Sequence, residues 1–300
     1  VLFLQILIST GSLSTRNTPE QYSGEHILHQ LQAVTDMCMG KHPEKATRMH
    51  RVGGFNWIKK SIFFQLPYWS KLSLRHNLDV MHIEKNICEN VVNTVLRIEG
   101  KTKDTYKARL DLEELGIRKE LHLQKRADGK YSMPCASYAL SNYERKLFCQ
   151  FFRNVRLPDG YASHLGRYVD NSYSKVSGMK SHDCHVLLQR LLPVGIRGLL
   201  PKEVTTTIAE LGTFFEKLCR RMLNVEELQK IQSDIITILC KLELIFPPAF
   251  FDVMVHLASH LPQEALLAGP VAYRWMYPIE RYDLDTIYTI FRLIFDLLNY

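Results

Sequence analysis

Apolar residues recur at helical spacing along most of this 300-residue chain. Ile83, Ile87, Val91 and Val95 fall every four positions, with Glu84, Lys85, Glu89, Asn90 and Asn93 on the other face. That period predicts an amphipathic helix from about His82 to a stop at Gly100. Ile27, Leu28, Leu31 and Val34 give a shorter helix behind a capping Ser23. A third helix is expected over 142–153. In the second half Ser181 is placed to cap a helix that Pro193 ends. Val204, Ile208, Leu211, Phe215, Leu218 and Met222 mark the next, and Leu228 to Ile245 a long one stopped by Pro247-Pro248. Phe250, Val253, Met254, Leu257 and Leu261 mark a shorter one ended by Pro262. Short apolar runs at 62–64 and 72–78 read as strands. Residues 101–135 are charged and turn-rich. Residues 156–180, with Pro158, Gly160, Gly166 and Gly178, read as a loop at a domain boundary. Helices joined by short turns suggest an antiparallel bundle, so the fold class is mainly α with some β (α+β).

Composition narrows the class. Hydrophobic residues make up 46% and charged residues 23%, which fits a folded chain rather than a disordered one. The net charge of +7 is local: in the window 41–75 eight basic residues, Lys59, Lys60, Lys71 and Arg75 among them, face the single acid Glu44, a balance of +7. Phe55, Trp57, Phe63 and Tyr68 interleave with them. Such a stretch suits a polyanion, since phosphate contacts release counterions and rings stack on bases, although a solvated basic loop has the same composition. The seven cysteines show no CxxC pair and read as reduced thiols of an intracellular protein. No run approaches the roughly 18 apolar residues of a membrane span.

Four groups of residues could carry chemistry. Asp79 and His82 straddle the start of the first long helix, where Asp79 serves equally well as a cap. Glu84 lies one turn before Cys88 on the polar face of that helix. His182-Asp183-Cys184-His185 is dense in metal-capable groups, yet neighbours on a helix diverge by about 100°, so at most two could share an ion. Asp252, His256 and His260 recur at i, i+4 and i+8, a spacing that can bring two imidazoles to a metal or simply line a helix seam. A metal hydrolase built on that row is the third-ranked functional reading.

Several longer stretches carry a family resemblance. They are Lys59-Lys60-Ser61-Ile62-Phe63-Phe64, Leu66-Pro67-Tyr68-Trp69, the run from Arg75 to Asn86, Lys180-Ser181-His182-Asp183-Cys184-His185, Leu191 to Leu200, and Gly269 to Tyr282. Over roughly residues 18–283 the chain resembles plant CACTA-type (En/Spm) transposases. Residues 1–17 and 284–300 carry no such resemblance.

The resemblance implies a ribonuclease-H-like DDE/D transposase in which three acids hold two divalent ions, Mg²⁺ or Mn²⁺, for phosphodiester cleavage and strand transfer. It places residues 18–175 in the later part of that domain and 176–283 in a helical transposase-associated domain of unknown function. Asp79-Val80-Met81-His82 is similar to the D-x-x-H element of cut-and-paste transposases. Asp183 takes the place of the third acid, with Glu84 as the alternative. The first two acids fall upstream, so the chain is expected to be a catalytically incomplete fragment that holds no ion tightly. DNA is the expected partner, with self-association possible and no membrane, and the nucleus is the expected location. The alternative reading is a non-catalytic helical module that binds DNA or a partner protein.

Overall fold

In the computed structural model, which describes residues 22–32, 61–162 and 164–275, helices carry almost all of the regular structure. The described residues divide into two units, the first within 15–77 and the second from Leu78 onward.

The first unit holds helix α1 (Gly24–Gln32), whose start is capped by Ser23 Oγ accepting from His26 N at 3.1 Å. Ile62–Gln65 and Trp69–Lys71 are single 3₁₀ turns, and 72–77 forms no strand, so the two strands expected from sequence are not formed. Ser61 explains the first: its Oγ accepts from Phe63 N and starts a turn where apolar residues alone would favour extension. Gly24 rests on the second turn so closely that a Cβ there would lie 2.3 Å from Ser70 O.

The second unit starts with α2 (Val80–Val95), which buries Ile83, Ile87, Val91 and Val95 as its period predicts. Its C-terminal carbonyls are satisfied from afar, Val95 O by Leu140 N at 2.9 Å and Leu96 O by Arg145 at 3.2 Å. The charged stretch that follows is more ordered than its composition suggests. It contains α3 (Tyr106–Glu114), capped by Thr105, and a hairpin of β1 (Gln124–Lys125) and β2 (Tyr131–Ser132). Gln124 pairs with Ser132 and Lys125 with Tyr131, antiparallel, the turn passing through Gly129 at φ +79°. Among the described residues this hairpin is the whole of the sheet, so the fold is mainly α with a little β.

Helix α4 (Asn142–Asn154) begins with a capping box between Ser141 and Glu144. Next comes α5 (Ser181–Val186), where Lys180 rather than Ser181 holds the cap position. It widens into a π turn over Leu187–Leu191 and resumes as α6 (Leu192–Gly195). Pro193 therefore does not end this helix. The wide turn, with Leu192 N bonded to Leu187 O, relieves the clash that a proline ring makes in a regular α turn. Helices α7 (Lys202–Leu218) and α8 (Val225–Ile245) pack antiparallel, and Met222 lies beyond α7, 88% exposed. Asn224 caps α8, and Arg118 donates to its terminal carbonyls, Glu243 O and Ile245 O. Finally α9 (Val253–Leu257) and α10 (Leu261–Ala268) are joined by a 3₁₀ turn. Pro262 occupies the first turn of α10, where its missing N–H costs nothing, and so continues the path rather than closing it.

One apolar cluster runs through this unit. It joins Ile83, Ile87 and Phe148 to Cys184, Leu187, Leu188, Phe215, Leu242 and Phe250, and takes in Leu165, Val169, Val176 and Met179 of the 156–180 loop.

Candidate functional site

Asp79 and His82 meet as the sequence suggests, but through the backbone. Asp79 occupies the cap position of α2 and its Oδ1 accepts from His82 N at 3.2 Å. His82 is exposed, and its carbonyl takes a bond from Asn86 Nδ2 at 2.7 Å. The pair builds a helix start.

Glu84 is not on a polar surface. It is 1% exposed and faces α5 across the seam between the two helices. Oε2 lies 2.7 Å from His185 Nδ1, and Oε1 accepts from Gln189 Nε2 at 2.8 Å. Gln189 Nε2 is also 3.0 Å from His185 Nδ1, one turn away on the same face. Cys219, at the C-terminal cap of α7, completes the cluster: donor atoms of Glu84, His185 and Cys219 all lie within 4.8 Å of one another. Among the described residues this is the group of three His, Cys, Asp or Glu side chains close enough to share an ion. Burial pushes the Cys219 thiol well above its ordinary pKa, and the negative charge of Glu84 adds to this. The edge of Trp275 stands against the His185 ring, centroids 6.0 Å apart.

Asp183 points elsewhere. It is 3% exposed and accepts a hydrogen bond from Tyr168 Oη at 2.5 Å, while Arg167 Nη2 donates to that same phenolic oxygen at 2.6 Å. The burial of Asp183 is thus compensated by a hydroxyl whose own oxygen is held by a cation. Behind it, Cys184 hydrogen-bonds Cys88 in the core, which, with burial, raises the Cys88 pKa.

Asp252 does not join His256 and His260 at an ion. It caps α9, with Oδ1 accepting from Met254 N and Val255 N, while Oδ2 accepts from Asn90 at 2.9 Å and Lys103 at 3.0 Å. His256 and His260 are exposed, their Nε2 atoms 3.2 Å apart. Partial desolvation on its inner side and the neighbouring imidazole of His260 lower the pKa of His256.

Of the basic residues, Lys59 and Lys60 lie outside the described residues. Lys71 is exposed at the end of a 3₁₀ turn. Arg75 donates to Tyr22 O at 2.8 Å and Leu72 O at 3.2 Å and lies 5.6 Å from the Trp69 ring centroid, so it ties the first unit together. A groove of about 500 Å³ between α7 and α8, lined by Glu210, Lys217, Lys230, Asp234 and Lys241, carries both signs of charge and includes none of the candidate acids.

Residues 218–290 match the model of a domain of unknown function, DUF4218. That family is typical of plant transposase-related proteins. The chain has no match among curated proteins or among solved structures. The DUF4218 match begins one residue before Cys219 and takes in α8, α9, α10 and Trp275, whereas Glu84, Asp183 and His185 precede it.

Sequence reasoning missed Gln189 and Cys219. Gln189 was legible in principle, being four residues after His185 and so on its face of the helix. Cys219 was not, because a thiol among apolar neighbours looks the same whether it packs or ligates.

Proposed function

We propose that this chain is part of a CACTA-type (En/Spm) transposase and serves it as a helical, DNA-associated module in which Asp79, Glu84 and Asp183 do not perform strand cleavage. The transposase assignment is supported by the DUF4218 match at 218–290 and by the sequence runs around Asp79 and Asp183. The observation that carries the non-cleaving role is the commitment of the three carboxylates. Asp79 caps a helix, Glu84 is held by His185 and Gln189, and Asp183 is held by Tyr168. Two-metal phosphodiester chemistry needs carboxylates that converge on ions about 3.5–4 Å apart and reach a solvent-borne substrate. Glu84 and Asp183 are buried with hydrogen-bonded oxygens, and Asp79, though partly exposed, is taken up in capping α2, so the three do not offer that. Mg²⁺ or Mn²⁺ and the strand-cleaving acids then belong to the intact transposase, and DNA contact by this chain rests on the basic stretch 41–75. The nucleus is the corresponding location.

Purified chain incubated with supercoiled plasmid and Mg²⁺ or Mn²⁺ is expected to leave it intact. Nicking that disappears in Asp183→Asn or Glu84→Gln would overturn the reading. The same protein is expected to bind duplex DNA without sequence preference, with log affinity falling by about 0.9 per phosphate contact for each tenfold rise in salt. Exchange of Lys59 and Lys60 for Glu should weaken it, and binding indifferent to salt would rule out phosphate contact.

A further inference from the structure

We propose that Glu84, His185 and Cys219 form a zinc site at the junction of α2, α5 and α7. Three different helices each deliver one donor, a carboxylate oxygen, an imidazole nitrogen and a thiol sulfur, to a spot where all three come within 4.8 Å of one another. A tetrahedral zinc ion with bonds of about 2.0–2.3 Å separates its ligands by about 3.5 Å, so side-chain adjustment without backbone movement brings these atoms into range. The surroundings are those of a supported metal site. Gln189 Nε2 holds the Glu84 oxygen that does not face the imidazole, at 2.8 Å, and the ring of Trp275 flanks His185. Glu84 is 1% and Cys219 8% exposed, while the His185 side chain, 17% exposed, marks the side from which an ion enters.

Charge points the same way. A buried carboxylate and a buried thiol share the seam with one imidazole and the amide of Gln189. A zinc ion brings two positive charges to meet one carboxylate and one thiolate, so the loaded site is neutral in the low-dielectric interior. On loading, the Cys219 S–H bond breaks and its proton leaves to solvent. Nδ1 of His185 gives up its proton, which resides on Nε2 in the bound ring, and bonds to zinc form from sulfur, nitrogen and Oε2. One proton is released for each ion from a neutral imidazole and two from an imidazolium, and nothing is oxidised or reduced. Mixed sulfur, nitrogen and oxygen donors select zinc over Mg²⁺, which requires oxygen ligands in an octahedron. The fourth position falls to water. This site is separate from the DNA contact of the basic stretch, so either can fail without the other.

The full chain carrying His256→Ala and His260→Ala, which removes the surface histidine pair, would be stripped with chelator and titrated with Co²⁺. One Co²⁺ per chain is expected, with a thiolate-to-cobalt charge-transfer band that Zn²⁺ abolishes and Mg²⁺ leaves in place. Cys219→Ser should eliminate the band, and Gln189→Leu should weaken binding about 10–100-fold. Absence of the band, or its survival in Cys219→Ser, overturns the site. Should Cys219→Ser fail to fold, zinc-edge X-ray absorption of the zinc-loaded chain decides. A first shell of one sulfur with nitrogen and oxygen supports the site, and a shell with no sulfur or with several overturns it.

Discussion

The carboxylate of Glu84 on α2 lies 2.7 Å from Nδ1 of His185 on α5, although 101 positions separate the two residues. With Gln189 on the second oxygen, Glu84 is the acceptor around which the seam between α2 and α5 is organised. Glu84→Ala would leave Gln189 and His185 facing a small cavity with a polar partner missing. A loss of about 1–3 kcal/mol is expected from urea unfolding of the metal-free chain. Glu84→Gln keeps the shape and one acceptor and should cost less. Equal losses would mean that charge rather than hydrogen bonding holds the seam.

Arg109 and Asp104 form an ion pair in the same unit that is almost fully buried. Nε reaches Oδ1 at 2.5 Å and Nη2 reaches Oδ2 at 2.7 Å, while Nη1 donates to Leu121 O. Asp104→Ala strands a guanidinium that is 1% exposed. The expected cost is about 3–5 kcal/mol, whereas Asp104→Ala combined with Arg109→Leu should recover much of it, because the uncompensated charge is gone. Denaturant midpoints of the two variants test this directly, and a double variant no more stable than the single would refute it.

Asp252 sets a pH dependence. Burial alone would raise its pKa, but hydrogen bonds from Asn90, Lys103 and Val255 N outweigh burial and leave it lowered. A carboxyl with a depressed folded pKa stabilises the fold above its unfolded pKa, about 3.9, and that contribution is lost as pH falls from there through the folded value. Thermal midpoints are therefore expected to be flat in this contribution from pH 7 to about 5 and to decline below about 4. Asp252→Asn should lower the midpoint at neutral pH and make the acid decline shallower. An unchanged acid slope would remove Asp252 from the account.

Gly212 on α7 lies against the π turn. A Cβ at this position would be 2.6 Å from the backbone oxygen of Leu188, which has no flexible side chain to move aside. Gly212→Ala, ordinarily favourable in a helix by about 0.5–1 kcal/mol, should instead destabilise by about 1–3 kcal/mol through overpacking. A stabilised variant would show that α7 and the π turn separate easily.

Helix periodicity was readable because it is a local property. Ile83, Ile87, Val91 and Val95, and Leu228 to Leu242, announce buried faces by spacing alone, and the structure buries them. The prolines were misleading for a similarly local reason. Whether Pro193 or Pro262 ends a helix depends on the turn it occupies, and a π turn or a helix start absorbs either one. The segment 156–180 reads as a loop at a domain boundary from its proline and glycines, yet its Leu165, Val169, Val176 and Met179 reach the core.

The sequence by itself determined that the chain is mainly helical, where most of its helices lie, and which residues have metal-binding or acid–base chemistry. Tertiary structure decided which of those groups meet. Asp79, Asp183, Asp252 and Glu84 all carry a carboxylate and sit at or near helix starts in the sequence pattern. Their partners, however, come from a neighbouring N–H, a tyrosine 15 positions away, a lysine 149 away and a histidine 101 away. Helical spacing fixes neighbours within a turn or two. The long-range pairings that bury one carboxylate against a thiol and leave another capping a helix arise when apolar faces pack and remove water from whatever polar groups lie between them.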